Sequence, residues 1–206
     1  MDSKKISTKQ LVVLGLLIAV VLIMCTTPIG SIPIGPLVIT LNMIPVGIAA
    51  IAVGPTGGLI VGSVFGFYSF LQAIGIGVPS GMGILTFSIS PVLTFVQRFV
   101  SRALAGWLIG IIYNAVKRPA GKTAAGYISG ACASVLNFIF FMGLLWLCFG
   151  SSAEFGEYLH GTLGKASMLV YIGGTFVSNT IFEIIVTTLC VGTICAVLRT
   201  ARLIDR

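Results

Sequence analysis

Long apolar runs organise the chain, and the polar positions between them are few and clustered. A helix needs about 20 apolar residues to cross the hydrocarbon of a bilayer. Runs of that kind predict spans near residues 11–27, 38–53, 59–73, 91–116, 123–149 and 166–198. The second is short and has Pro45 inside it. Between the first two runs, Pro28, Pro33 and Pro36 with Gly30 and Gly35 break any continuous helix and predict a loop over 28–37. Residues 54–58 (GPTGG) read as a tight turn, 75–83 (GIGVPSGMG) as a loop, and 150–165 as a polar loop. Pro91 suits the first turn of the fourth long helix. The expectation is an all-α membrane protein of six transmembrane helices, with residues 1–206 forming a single integral membrane domain.

Charge fixes the orientation. Lys4, Lys5 and Lys9 precede the first run, Lys117, Arg118 and Lys122 divide the fourth and fifth, and Arg199, Arg202 and Arg206 follow the last. With six spans these clusters share one side, which predicts both termini in the cytoplasm. Lys165, Glu154, Glu157 and His160 fall on the opposite side. The longer loops, near 28–37, 74–90 and 150–165, then face outward and suggest a site that opens that way. Trp146, near the outer end of the fifth span, reads as an interfacial anchor.

Composition agrees. Only 8% of residues are charged and mean hydropathy is +1.12, against about 25% charged in a soluble domain. No Asp, Glu, Lys or Arg occurs between Leu11 and Gln97. The formal charge of +7 sits in topology clusters that also suit anionic lipid headgroups, and it forms no basic face for nucleic acid. Cys25, Cys132, Cys148, Cys190 and Cys195 contain no C-x-x-C pair and read as small packing residues. Met24 is too large for a lipoprotein cleavage site before Cys25, so the first run is expected to remain as a start-transfer helix. One histidine and scattered cysteines make no zinc site. AGKT at 120–123 lacks the glycine a P-loop needs, since position 116 is Val116. No cofactor, metal, ATP site or enzyme activity is expected.

Ionisable groups inside a bilayer are costly and mark function. Three fall within the spans: Arg98, Arg102 and Glu183, with Gln97, Asn137 and Asn179 around them. At 1.5 Å per residue, Arg98 lies roughly 10 Å below the start of its helix, and Asn137 and Asn179 lie roughly 15 Å deep. Arg102 and Glu183 are one turn deeper, and both Arg98–Arg102 and Asn179–Glu183 are i, i+4 pairs on one helix face. This spacing predicts that Arg102 pairs with Glu183, leaving Arg98 to receive a ligand carboxylate. Asn137 and Asn179 then meet ligand hydroxyls or amides, and Phe141 lines an apolar wall. Gln97, Tyr68 and Gln72 are further candidates for ligand contact. The alternative is structural: Arg98 pairs with Glu183, Arg102 snorkels, and the asparagines join helices. Gly58, Gly62 and Gly66 form a small-residue face for internal packing, and Gly15 and Ala19 form another on the first helix.

The stretch IPIGPLVITLNMIPVGIAAIAVGPTGGLIVGSVFGFYSFLQ, residues 32–72, resembles the substrate-binding S component of energy-coupling factor (ECF) vitamin transporters. The resemblance extends over nearly the whole chain. It implies an S-component-like bundle in the bacterial plasma membrane that captures a vitamin outside. It also implies association with a transmembrane coupling subunit and two ATPase subunits, followed by toppling and release inside. Gly15 and Ala19 match the positions of the family's A-x-x-x-A docking motif, with glycine at the first. The chain is most similar to pantothenate-specific members. Folate, riboflavin and other vitamins remain alternatives, as do a self-sufficient channel or carrier and a purely structural membrane protein.

Overall fold

The computed structural model describes residues 7–34, 37–78, 80–161, 164, 168–201 and 204. Lys4, Lys5, Gly35, Pro36, Lys165, Arg202 and Arg206, named above, lie outside the described residues.

The long apolar runs form helices α1 (Thr8–Thr26), α3 (Pro55–Ala73), α5 (Pro91–Val116), α6 (Lys122–Phe149) and α9 (Ile181–Thr200). These five are long and apolar enough to cross a membrane. Their starts follow local chemistry. Ser7 and Gln10 close a capping box on α1. Ser90 caps α5, and Pro91 occupies its first turn. Gly54, at φ 94°, makes the turn into Pro55.

The expected second span is different. Leu37–Thr40 is strand β2, paired antiparallel with β1 (Ser31–Ile34) in the segment expected to be a loop. Helix α2 is therefore only Met43–Ala52, and it follows the hairpin directly. Ten residues rise about 15 Å, half the hydrocarbon thickness of roughly 30 Å. Every α2 residue except Ile44 is buried, so α2 is a half-length core helix and not a sixth full-length span. Asn42, wholly buried, holds the hairpin base by donating to the Gly30 carbonyl (2.9 Å) and the Ser31 hydroxyl (3.5 Å).

Three further short elements replace expected loops or uniform helix. Helix α4 (Gly81–Ile89) begins in the GIGVPSGMG segment, where the Ser80 hydroxyl accepts from the Gly83 N–H at 3.2 Å. Helix α7 (Ala153–Gly161) forms within the expected polar loop and buries Phe155 and Leu159, one turn apart. The last run is not one helix: α8 (Met168–Thr175) passes through a π-helical turn, Phe176–Thr180, into α9.

Helix α3 lies along α5, and α6 along α9. The α3–α5 seam is made by glycines. A Cβ on Gly58 would strike the Gly106 carbonyl and one on Gly106 would strike the Gly58 carbonyl, while Gly62 and Gly66 lie against the backbone of Arg102 and Phe99. The expected packing role of this face is therefore realised, and it sets the two arginines at a fixed depth beside α3. Around α2 sits the main core, including Met43, Val46, Phe65 and Ile109. A second cluster of Met142, Leu145, Phe149, Phe155, Leu159 and Tyr171 lies under α7.

Candidate substrate site

One cavity of about 340 Å³ lies between the hairpin, α3, α5, α6 and the π turn. That is at the low end of the roughly 300–1,000 Å³ typical of small-molecule pockets. Arg98, Arg102, Asn137, Phe141, Asn179, Glu183 and Gln72 all line it. The depth estimates thus converge on one space. Gln97 and Tyr68 do not line it. Gln97, one residue from Arg98 and so turned about 100° away, donates to the Phe141 carbonyl at 3.2 Å and ties α5 to α6. Phe65, Ser69 and Gln72 form the cavity stripe of α3, with Tyr68 at its edge against Gly77. Gln97→Leu is expected to leave ligand affinity within about threefold and to lower stability by about 1 kcal/mol. Titration calorimetry and thermal unfolding on one preparation check both halves.

Arg98 is 4% exposed. Its Nη1 donates to the carbonyl and hydroxyl of Ser69, each at 3.0 Å, and its Nη2 reaches the Ser80 hydroxyl at 3.5 Å. Gly83 of α4 leaves the room, since a Cβ there would stand 2.6 Å from Nη2. No carboxylate contacts Arg98 among the described residues.

The expected Arg102–Glu183 ion pair is not formed. Arg102 lies between the rings of Phe65 and Phe141, 4.7 and 4.5 Å from their centroids. These aromatic faces attract the guanidinium. Its Nη1 donates to the Arg98 carbonyl (3.3 Å) and the Ser101 hydroxyl (3.2 Å). Glu183 instead accepts the backbone N–H of Thr40 at 2.5 Å, which ties β2 to α9. Equal depth brought the two groups into one cavity, but the rings and the strand took them as partners.

Asn137 Oδ1 is sealed from solvent and accepts no hydrogen bond. Asn179 and Thr180 reach the cavity from the π turn, a geometry that recurs at functional sites. Gln72 donates to the Cys25 carbonyl at 3.1 Å, joining α3 to the end of α1. The sequence does not single out the hairpin's Ser31 and Thr40, nor Tyr158 of α7 and Tyr171 of α8, which also line the cavity. Ser69 and Phe65 were recoverable from the helical period around Gln72.

The family model for the substrate-specific component of ECF transporters matches residues 9–195. The chain belongs to that family. No curated protein matches it. As an ECF substrate-specific component it is a membrane subunit of a transporter. Members of the family bind a small-molecule substrate and work with an ECF module; they are transporter subunits and not enzymes. In this S component, a cavity lined by two arginines, two asparagines and aromatic side chains is suited to holding a small polar solute.

Proposed function

We propose that this S component captures a carboxylated vitamin, pantothenate first, on the outer side of the bacterial plasma membrane. The observation that carries the reading is Arg98, buried in the cavity wall with no acidic partner among the described residues. A ligand carboxylate supplies the missing charge by a charge-assisted contact. Asn137, Asn179 and Gln72 add polar side chains to the lining, and Phe141 gives an apolar wall. Riboflavin has no carboxylate for Arg98, and folate, with two carboxylates and a large ring system, is a poor match to this small volume. Both termini are cytoplasmic in this reading. A coupling subunit and two ATPases then drive release inward.

Calorimetric titration of the detergent-solubilised chain with pantothenate, folate and riboflavin tests it. Tight pantothenate binding is expected. If the folded chain binds another vitamin, the pantothenate assignment falls, and transport by the chain alone in vesicles would replace the module reading.

The module docks on α1. Gly15 and Ala19 are exposed, with Leu11, Val12, Leu16, Val20 and Ile23 around them. A Cβ on Gly15 meets nothing within 4 Å, so a larger residue fits the isolated fold. Gly15→Leu is expected to leave vitamin affinity within about twofold and to cut module-dependent uptake by roughly tenfold or more, as for a lost interface hot spot. Uptake into vesicles alongside calorimetry reads both, and undiminished uptake would remove α1 as the docking face.

A further inference from the structure

The cavity carries an uneven charge. Its ionisable lining among the described residues includes two arginines, Arg98 and Arg102, and one carboxylate, Glu183. No arginine–carboxylate contact occurs among these residues, because Glu183 is engaged by Thr40. Arg98 and Arg102 are one helical turn apart and lie against the same ring, 5.9 and 4.5 Å from the Phe141 centroid. In both, Nη1 is satisfied inside the protein. Arg102 Nη2 donates to no group among the described residues and is not among the sealed atoms. Arg98 Nη2 has only its long contact to Ser80. Two guanidinium edges are thus left for one guest.

We infer that the cavity selects its guest by net charge: Arg102 shares the ligand's anionic group with Arg98, and Glu183 limits the guest to a single negative charge. This rests on the reading of the cavity as the vitamin site. Two guanidiniums and Glu183 in its ionised form leave one positive charge for the ligand to neutralise. A neutral ligand leaves both Nη2 groups without an anion. A dianion adds a second negative charge near Glu183 in a space with little water to screen it. Arg102 is accordingly a binding residue in its own right and no mere counter-ion of Glu183.

The experiment compares ligands of matched shape and different charge. Pantothenate, its primary amide, and the analogue carrying aspartate in place of β-alanine span one, zero and two negative charges. Riboflavin, folate and the monocarboxylate biotin with its amide complete the panel. The wild-type chain is expected to prefer a monocarboxylate over its amide by roughly 30-fold or more. Arg102→Gln is expected to shrink that ratio by roughly tenfold. Glu183→Gln keeps an oxygen for the Thr40 N–H and raises the cavity charge. It is expected to move selectivity the other way, improving the dianion relative to the monoanion by roughly tenfold.

Ratios within one variant cancel any general loss of folded protein, and the two variants predict opposite shifts, so either alone is decisive. If biotin shows the pattern and pantothenate does not bind, the charge rule stands and the pantothenate assignment falls. Equal binding of acid and amide, or a preference for riboflavin or folate, overturns the charge rule and leaves a vitamin subunit. No binding of any probe to folded protein overturns both.

Discussion

Arg98→Ala will weaken pantothenate binding by roughly 30-fold to several thousand-fold, the range for truncating one partner of a buried charged contact at about 2–5 kcal/mol. The ligand-free fold will change little. Alanine removes the hydrogen bonds to Ser69 and Ser80, each worth about 0.5–1.5 kcal/mol or somewhat more for a charged donor. It also removes a buried cation that has no acid beside it, which offsets that loss. Freed Ser69 keeps local helix backbone as an acceptor. The expected signature is therefore lost affinity with a nearly constant unfolding midpoint, measured by calorimetry and thermal unfolding in one detergent. Unchanged affinity in a folded variant would falsify the assignment of Arg98 to the ligand.

The second large effect is on the scaffold. Gly106→Val is expected to destabilise the chain by about 3 kcal/mol, at the upper end for overpacking. The new Cβ meets the backbone carbonyl of Gly58 and the Val46 side chain. Backbone in a packed helix cannot swing aside as a flexible side chain can. The helices must separate, and the seam carries Arg98 and Arg102 against Gly66 and Gly62, so vitamin binding falls with stability. Gly15→Val is the matched control, because Gly15 has open space around it, and its effect is expected to be a gain of no more than a few tenths of a kcal/mol, since valine is a slightly better helix former than glycine. Thermal unfolding of the two variants side by side decides it; equal midpoints would mean that the α3–α5 contact is not limiting.

The long helices and the depth of the polar groups were legible because both follow from one regular rise per residue. Arg98, Asn137 and Asn179 needed no tertiary information to be placed near one level. What failed was short or dependent on neighbours. Residues 38–40 read as the start of a helix from sequence, but so short an apolar run fits strand or helix equally well, and the pairing of Leu37–Thr40 with Ser31–Ile34 decides it. In α7 the apolar signal is reduced to Phe155 and Leu159 among polar residues and glycines. The π turn at Phe176–Thr180 has no signature in residue type. Arg102 and Glu183 line one cavity without pairing, since depth says nothing of the rings of Phe65 and Phe141 that stand beside the guanidinium.

The hydrogen bond from Thr40 to Glu183 closes a separation of 143 residues, and this sets an order of assembly. The contacts Gln72–Cys25 and Arg98–Ser69 span 47 and 29 residues, so the first wall of the cavity can form as soon as α5 has left the ribosome. A chain that ends there carries Arg98 and Arg102 but not Glu183, the one carboxylate among the described residues that line the cavity. The hairpin has no anchor on α9 until the last helix enters. The charge of the site is therefore completed late in the chain, since Glu183 follows Arg102 by 81 residues.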